Sequence, residues 1–274
     1  MEHVLRQTWA FVFRDYHMTR RYFSWVIVET FYALVGSVTV ALIGVAAGSY
    51  QLTLMLVVGV LLWNFLSRLF QEISNSISYE RWEGTLEYTF MAPVSRLVHL
   101  FGVSLFATVY SIIQLGVILG GLLLLIDINL AGANIFGIMI VLLVSSFAFI
   151  GLGLMAAVLP VISPERGAQA TNIFQGTLLL VSGVYYPVEV LPSWVQPFAV
   201  LSPATYALSA SRKLMGINES AEASGRLIGA PLSAVTHELL ILALMGLVMI
   251  PFGLWVFGRV EMWAKRTGKL KRTG

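Results

Sequence analysis

Charged side chains are scarce in this sequence, so the few that cluster define its chemistry. In the segment from Ser78 to Arg96, Glu80, Glu83 and Glu87 stand at i, i+3 and i+7 and, read as helix, share one face. Trp82, Leu86 and Phe90, at i, i+4 and i+8, share another. An acidic face attracts a basic surface and an apolar face fits a groove, so residues 80–92 read as a short amphipathic helix that docks a soluble partner. Gly84 allows a bend, Thr85 can cap a new helical piece, and Pro93 ends it. A second set comprises polar groups within apolar stretches: Glu29, Asn64, Arg68, Gln71, Glu72, Gln114 and Asn172. Such groups are costly in a membrane and face the protein interior or a pathway. Arg68 and Glu72, at i and i+4, can neutralise each other, in a structural or a functional role. Asn64 and Gln114 suit a pathway lining or a helix–helix hydrogen bond. Glu29 stands near the inner end of an apolar run and is expected to be solvated there.

No constellation in the chain points to catalysis. With no cysteine, disulfides, thiolate metal sites and cysteine nucleophiles are excluded. No G-x-x-x-x-G-K-[ST] phosphate loop occurs, so the chain is not itself an ATPase of that type. There is no H-E-x-x-H, and His3, His17, His99 and His237 are scattered, which argues for structural or interfacial histidines and against a metal site. No G-x-S-x-G elbow is present.

The elements that carry these residues are membrane helices. The chain has 274 residues, 58% hydrophobic and only 11% charged, with mean hydropathy +0.83. A soluble domain is about 25% charged, and one of this size could not hide so much apolar surface. The expected fold is all-α, with six spans at roughly 23–47, 52–75, 98–126, 134–160, 165–186 and 234–258. Placing the N-terminus inside puts fourteen arginines and lysines on the inner side and three (Arg212, Lys213, Arg226) on the outer. Both termini are then cytoplasmic, in a multi-pass cell (inner) membrane protein. The basic residues flank apolar segments, a topology signal and not a nucleic-acid footprint. No cleavable signal peptide is expected, because Arg6, Arg14 and Asp15 precede the first apolar run.

Residues 1–22 form a separate element. Leu5, Trp9, Val12, Phe13 and Tyr16 fall on one helical face, with Arg6, Arg14, Asp15 and His17 mostly off it. The expectation is a helix lying in the inner interface, anchored in lipid by Trp9 and Phe13. The membrane domain follows over 23–258, and a basic cytoplasmic tail over 259–274. Residues 187–205, with Pro187, Pro192, Pro197 and Pro203, are too short and broken to span yet still apolar through Trp194 and Phe198. They read as a re-entrant outer helical hairpin ending at Tyr206. Ser163-Pro164-Glu165-Arg166 reads as the cap that opens the fifth span. Asn218-Glu219-Ser220 fits a glycosylation acceptor that nothing else supports. Gly116 and Gly120, or Gly151 and Gly153, would permit close helix contact, although lipid-facing filler is the preferred reading for any one of them.

Two stretches carry a resemblance. Glu80-Arg81-Trp82-Glu83-Gly84-Thr85-Leu86-Glu87, followed by Met91-Ala92-Pro93-Val94-Ser95-Arg96, is similar to the "E-R-x-x-G-T-L-E … P-V-S-R" segment of the permease subunits of type-2 ATP-binding cassette exporters. Val181 to Phe198, continuing from Leu201 to Ala207, resembles that family's "S-G-x-x-x-P-x-x-x-L-P … P-x-x-Y" segment. The resemblance implies two protomers of six helices each, expected as a homodimer, with an ATP-binding cassette ATPase subunit below each. ATP and magnesium would be held by that partner, with no cofactor on this chain. Glu80–Ala92 would be the coupling helix. Trp82 departs from the family pattern, where a charged or polar residue is more usual. Ser182, Gly183, Tyr185, Pro187, Trp194 and Tyr206 would form an outer gate. The implied function is ATP-driven export, by alternating access, of a hydrophobic or amphiphilic cargo that is drug-like or lipid-like; a lipid-linked saccharide is the alternative. An ATP-independent transporter or channel is the alternative class. Internal repeats would favour it, and the two halves show none.

Overall fold

Long apolar runs fold here as helices, the form that satisfies backbone hydrogen bonds within a single segment. The computed structural model describes residues 2–128, 130, 132–163, 167–217 and 229–268, and among these there is no strand. α1 (Glu2–Arg21) breaks at Tyr22 and is followed by α2 (Phe23–Ala46) and α3 (Tyr50–Trp82). After these come α4 (Leu86–Met91), α5 (Arg96–Leu125), α6 (Ile135–Ala156), α7 (Val158–Ile162) and α8 (Gly167–Val181). A 3-10 turn (Val188–Val190), α9 (Gln196–Val200) and α10 (Pro203–Met215) lead to a second 3-10 turn (Leu232–Val235) and α11 (Thr236–Arg266).

Five stretches are long and apolar enough to cross a membrane: α2, α3, α5, α6 with α7, and α11 with the turn before it. The fifth expected span, 165–186, is instead the 15-residue α8, about 22 Å long and short of a hydrocarbon core of about 30 Å. α10 takes over where it stops. Ser182 and Ser202 share a hydrogen bond of 2.6 Å, and the Thr205 hydroxyl donates to the Ser182 carbonyl at 3.4 Å. At its far end α10 presents the Leu214 carbonyl to the Asn134 amide, 2.9 Å away and just before α6. α8 itself begins against Pro160 of α7. The two short helices therefore run in succession beside α3, with residues 183–202 inserted at their joint. The expected hairpin over 187–205 is a 3-10 turn, α9 and the first turn of α10, and Tyr206 lies inside α10 instead of closing the segment.

α3 is the central helix, with Leu54, Leu66, Leu69, Ile73 and Ile77 at or near zero exposure. α6 and α11 pack closely through glycine. A Cβ on Gly151 would lie 2.6 Å from Met249, one on Gly246 2.7 Å from Phe147, and one on Gly253 2.7 Å from the Gly151 carbonyl. Gly153 packs on Ile73. Gly151 and Gly153 are thus contact glycines, whereas Gly116 and Gly120 have nothing within 4 Å and fit the filler reading. α11 runs eight residues past its expected edge and buries Glu261 and Ala264, so the tail begins as packed helix. Pro164–Arg166, the Asn218-Glu219-Ser220 motif, Arg226 and the tail from residue 269 lie outside the described residues.

The face of α1 carrying Leu5, Trp9, Phe13 and Tyr16 is exposed, as an interfacial helix requires. Its other face packs on α5, where Gly102 admits Phe11 and the Thr8 carbonyl. Gly151→Ala should overpack the α6–α11 contact and destabilise the protein by about 1–3 kcal/mol, whereas Gly116→Ala should be neutral. Thermal unfolding in detergent, followed by size-exclusion chromatography, measures both.

Candidate coupling segment and polar clusters

The segment over 80–92 is two pieces, with the break at Gly84 that its sequence allows. α3 carries Glu80, Arg81 and Trp82, and then Gly84 (φ +73°) turns the chain. The Thr85 amide bonds to the Glu80 carbonyl (2.8 Å) and the Gly84 amide to that of Arg81 (3.1 Å), a paired C-terminal cap that the left-handed glycine makes possible. Thr85 precedes α4 without capping it through its side chain.

This geometry corrects the predicted acidic face. Glu80 is only 5% exposed and turns inward, away from Glu83 and Glu87, which are exposed. One of its oxygens accepts from Arg14 and, at 3.1 Å, pairs with His99 Nε2. Arg14 also meets Asp15 at 2.9 Å, and burial raises the Asp15 pKa above the ordinary carboxylate value even though Arg14 opposes the shift. Arg81 is buried too and donates to the Pro160 (3.0 Å) and Val161 (2.9 Å) carbonyls at the end of α7. Leu86 and Phe90 are core residues, so they share no exposed apolar face with Trp82.

α4 is held from behind. Arg96 donates to the Thr89 (3.4 Å) and Phe90 (3.3 Å) carbonyls, and Lys265 to that of Phe90 (3.1 Å). Glu261 joins the two cations, 3.1 Å from Arg96 and 2.8 Å from Lys265. The Phe90 ring meets Phe257 edge-on. On the free side Trp82, Glu83, Glu87, Tyr88 and Met91 are all exposed.

Arg68 gathers three helices. It pairs with Glu72 on α3 (2.8 Å) as the spacing predicts, and with Glu29 on α2 (2.6 Å), and it donates to the Tyr110 hydroxyl on α5 (2.8 Å). Glu29, expected to be solvated, is thus an ion-pair partner, and it also accepts from the Trp25 indole at 2.9 Å. The other polar groups mostly bridge helices. Asn64 donates to Ser37 (2.9 Å), Gln71 to Gln175 (2.7 Å) and Gln114 to Thr30 (3.4 Å). Asn172 is exposed on α8.

At the joint between α8 and α10, Ser182 is buried and Gly183 has φ +68°. Arg212 reaches back to donate to the Gly183 (3.1 Å) and Val184 (2.9 Å) carbonyls. Gly59 of α3 lets the Val184 carbonyl approach, since a Cβ there would lie 2.3 Å from that oxygen. Tyr185 packs against the main core, and the Tyr206 hydroxyl donates to the Val200 carbonyl at 3.1 Å. Trp194 is exposed, and Pro187 leads into the 3-10 turn. Arg212 was legible only as an outer charge. The pairing of Arg14 and His99 with Glu80, of Arg96 with Glu261, of Tyr110 with Arg68 and of Ser202 with Ser182 carried no local signal, since the partners are distant in sequence, whereas Glu261 and Lys265 stand at i and i+4.

These features define an all-α, multi-pass membrane protein with a braced, exposed segment at one edge of its helices. The sequence model of the ABC-2 type transporter family matches residues 4–215, and the chain belongs to that family. Its membrane domain is a transport subunit that normally lacks its own ATPase and typically pairs with an ATPase subunit. No curated protein matches the chain. Arg68→Ala leaves Glu29 and Glu72 uncompensated and should cost on the order of 3 kcal/mol. Adding Glu29→Gln and Glu72→Gln should recover a large part of the loss, as read by thermal unfolding of the single and triple variants.

Proposed function

We propose that this chain is the permease half of an ATP-driven exporter, with both termini in the cytoplasm of a cell (inner) membrane, and that two copies assemble as a homodimer over two ATPase subunits. The observation that carries this reading is the exposed edge formed by Trp82 and Glu83 at the end of α3 and by Glu87, Tyr88 and Met91 on α4, which Arg96 and Lys265 clamp from behind. A partner that pushes on this edge meets no slack. Its motion passes through Arg81 to the end of α7, and so to the start of α8. ATP and magnesium act on the partner. This chain holds no nucleotide and supplies the pathway.

The cargo is hydrophobic or amphiphilic, because most polar groups inside the helices are consumed in helix–helix bonds and leave an apolar route. The broken segment over 187–205, tied to α10 by the hydrogen bond from Tyr206 to the Val200 carbonyl, closes that route from outside. Aqueous access then alternates as the halves rock.

Purification of the tagged chain in mild detergent, with mass spectrometry of what accompanies it, tests the docking edge. A near-equimolar ATP-binding subunit is expected, and it should be lost in Glu83→Lys/Glu87→Lys, whose exposed positions leave folding intact. A chain that arrives alone and moves solute in liposomes without ATP would sink the reading. Arg81→Ala separates docking from transmission. It should keep the ATPase subunit bound while ATP-dependent transport falls at least tenfold in proteoliposomes.

A further inference from the structure

A cavity of about 960 Å³ opens between α1, α2, α3 and α5, on the side of the docking edge. Its charged lining is unbalanced. Asp15, Glu29, Glu72, Glu80 and Glu83 face it with only Arg14 and Arg68. Both arginines are already committed, Arg68 to Glu29 and Glu72, Arg14 to Asp15 and Glu80. Among the described lining residues no cation is left free to receive an anion. His99, behind Glu80, shares the same Glu80 oxygen as Arg14. The second oxygen, Oε2, is buried without a partner, as is the hydroxyl of Ser78, another lining residue.

The uncharged lining matches the imbalance. Tyr22, Trp25, Tyr79, Trp82, Phe106 and Tyr110 supply aromatic surface, and Trp25 and Trp82 are more than half exposed. Aromatic faces attract cations that carry little hydration, such as quaternary ammonium and phosphonium groups. Carboxylates in excess beside aromatic walls therefore favour a cation with an apolar body, and a volume of this size holds a drug-sized molecule.

We infer that this cavity binds a lipophilic organic cation, taken up from the inner side of the membrane, and that such cations are the cargo class of the exporter proposed above. The cargo half of the inference rests on that permease reading, whereas binding does not. Glu72 and Glu83 supply the attraction, and Trp25 and Trp82 the walls.

The test is equilibrium binding of radiolabelled tetraphenylphosphonium, and separately of tetraphenylborate, to the purified full chain in nanodiscs, with empty nanodiscs subtracted. The two ions share shape and differ in sign. The cation should bind at least about tenfold more tightly than the anion, and Glu72→Gln should weaken the cation about tenfold. Glu83→Gln, at an exposed position on the rim, should weaken it less and keeps the test open if Glu72→Gln fails to fold. Displacement by both dodecyltrimethylammonium and dodecylphosphocholine would identify a headgroup site, and displacement by the former alone a free-cation site; either supports a cation site. Equal or tighter anion binding, or unchanged cation affinity in both variants, overturns the inference. Because no ATPase subunit is present, failure to bind and failure to co-purify a partner are separate results.

Discussion

A helix that stops inside an apolar body leaves carbonyl oxygens without donors, and each such oxygen must find one. The architecture of this protein depends on how that demand is met. Three helices stop early, and each stop is answered by basic side chains from another element. Arg81 caps the end of α7, Arg96 and Lys265 cap α4, and Arg212 holds the turn after α8. Each interaction is charge-assisted and therefore stronger than a neutral hydrogen bond. Each also ties a place where the backbone can change course to another helix, a long one for Arg81, Arg96 and Lys265 and the short α10 for Arg212.

The same economy appears in the carboxylates. Glu261 supports both cations that hold α4, Glu80 fixes Arg14 of α1, and Glu29 and Glu72 share Arg68. Few charges are used, and most of them join two or three elements. Small residues do the complementary task. Gly151, Gly246 and Gly253 bring α6 and α11 into contact, and Gly59 lets the joint of the broken span lie against α3. Association through close van der Waals contact suits an environment in which burial from lipid gives little driving force.

Local periodicity made much of this visible in the sequence. The apolar runs gave the long helices, the apolar face of α1 followed from its spacing, and Arg68 with Glu72 followed from i, i+4. What stayed hidden was set by distance along the chain. Glu80 belongs to an acidic stripe only if the helix continues past Gly84 and the carboxylate stays in water. Its partners Arg14 and His99 lie 66 and 19 residues away and were invisible to a helical wheel. The early end of α8 was equally hidden. Apolar composition continues to Tyr186, and the stop comes from Gly183 and from α10 arriving at Ser202. Glycines told the same story, since Gly116 and Gly151 look alike in sequence and only the neighbouring helix separates them.

α3 has neither glycine nor proline between Gly59 and Gly84. Gly59 touches the joint of the broken span, and Arg81 sits beside the exposed edge that includes Trp82 and Glu83. The rise between them is about 33 Å along one uninterrupted hydrogen-bonded rod. A rod of that length pivoting by about 10° sweeps its far end through about 6 Å, close to one helical pitch. The helix therefore has the proportions of a lever: a small angular displacement at the Arg81 end becomes a move of side-chain size at the far joint.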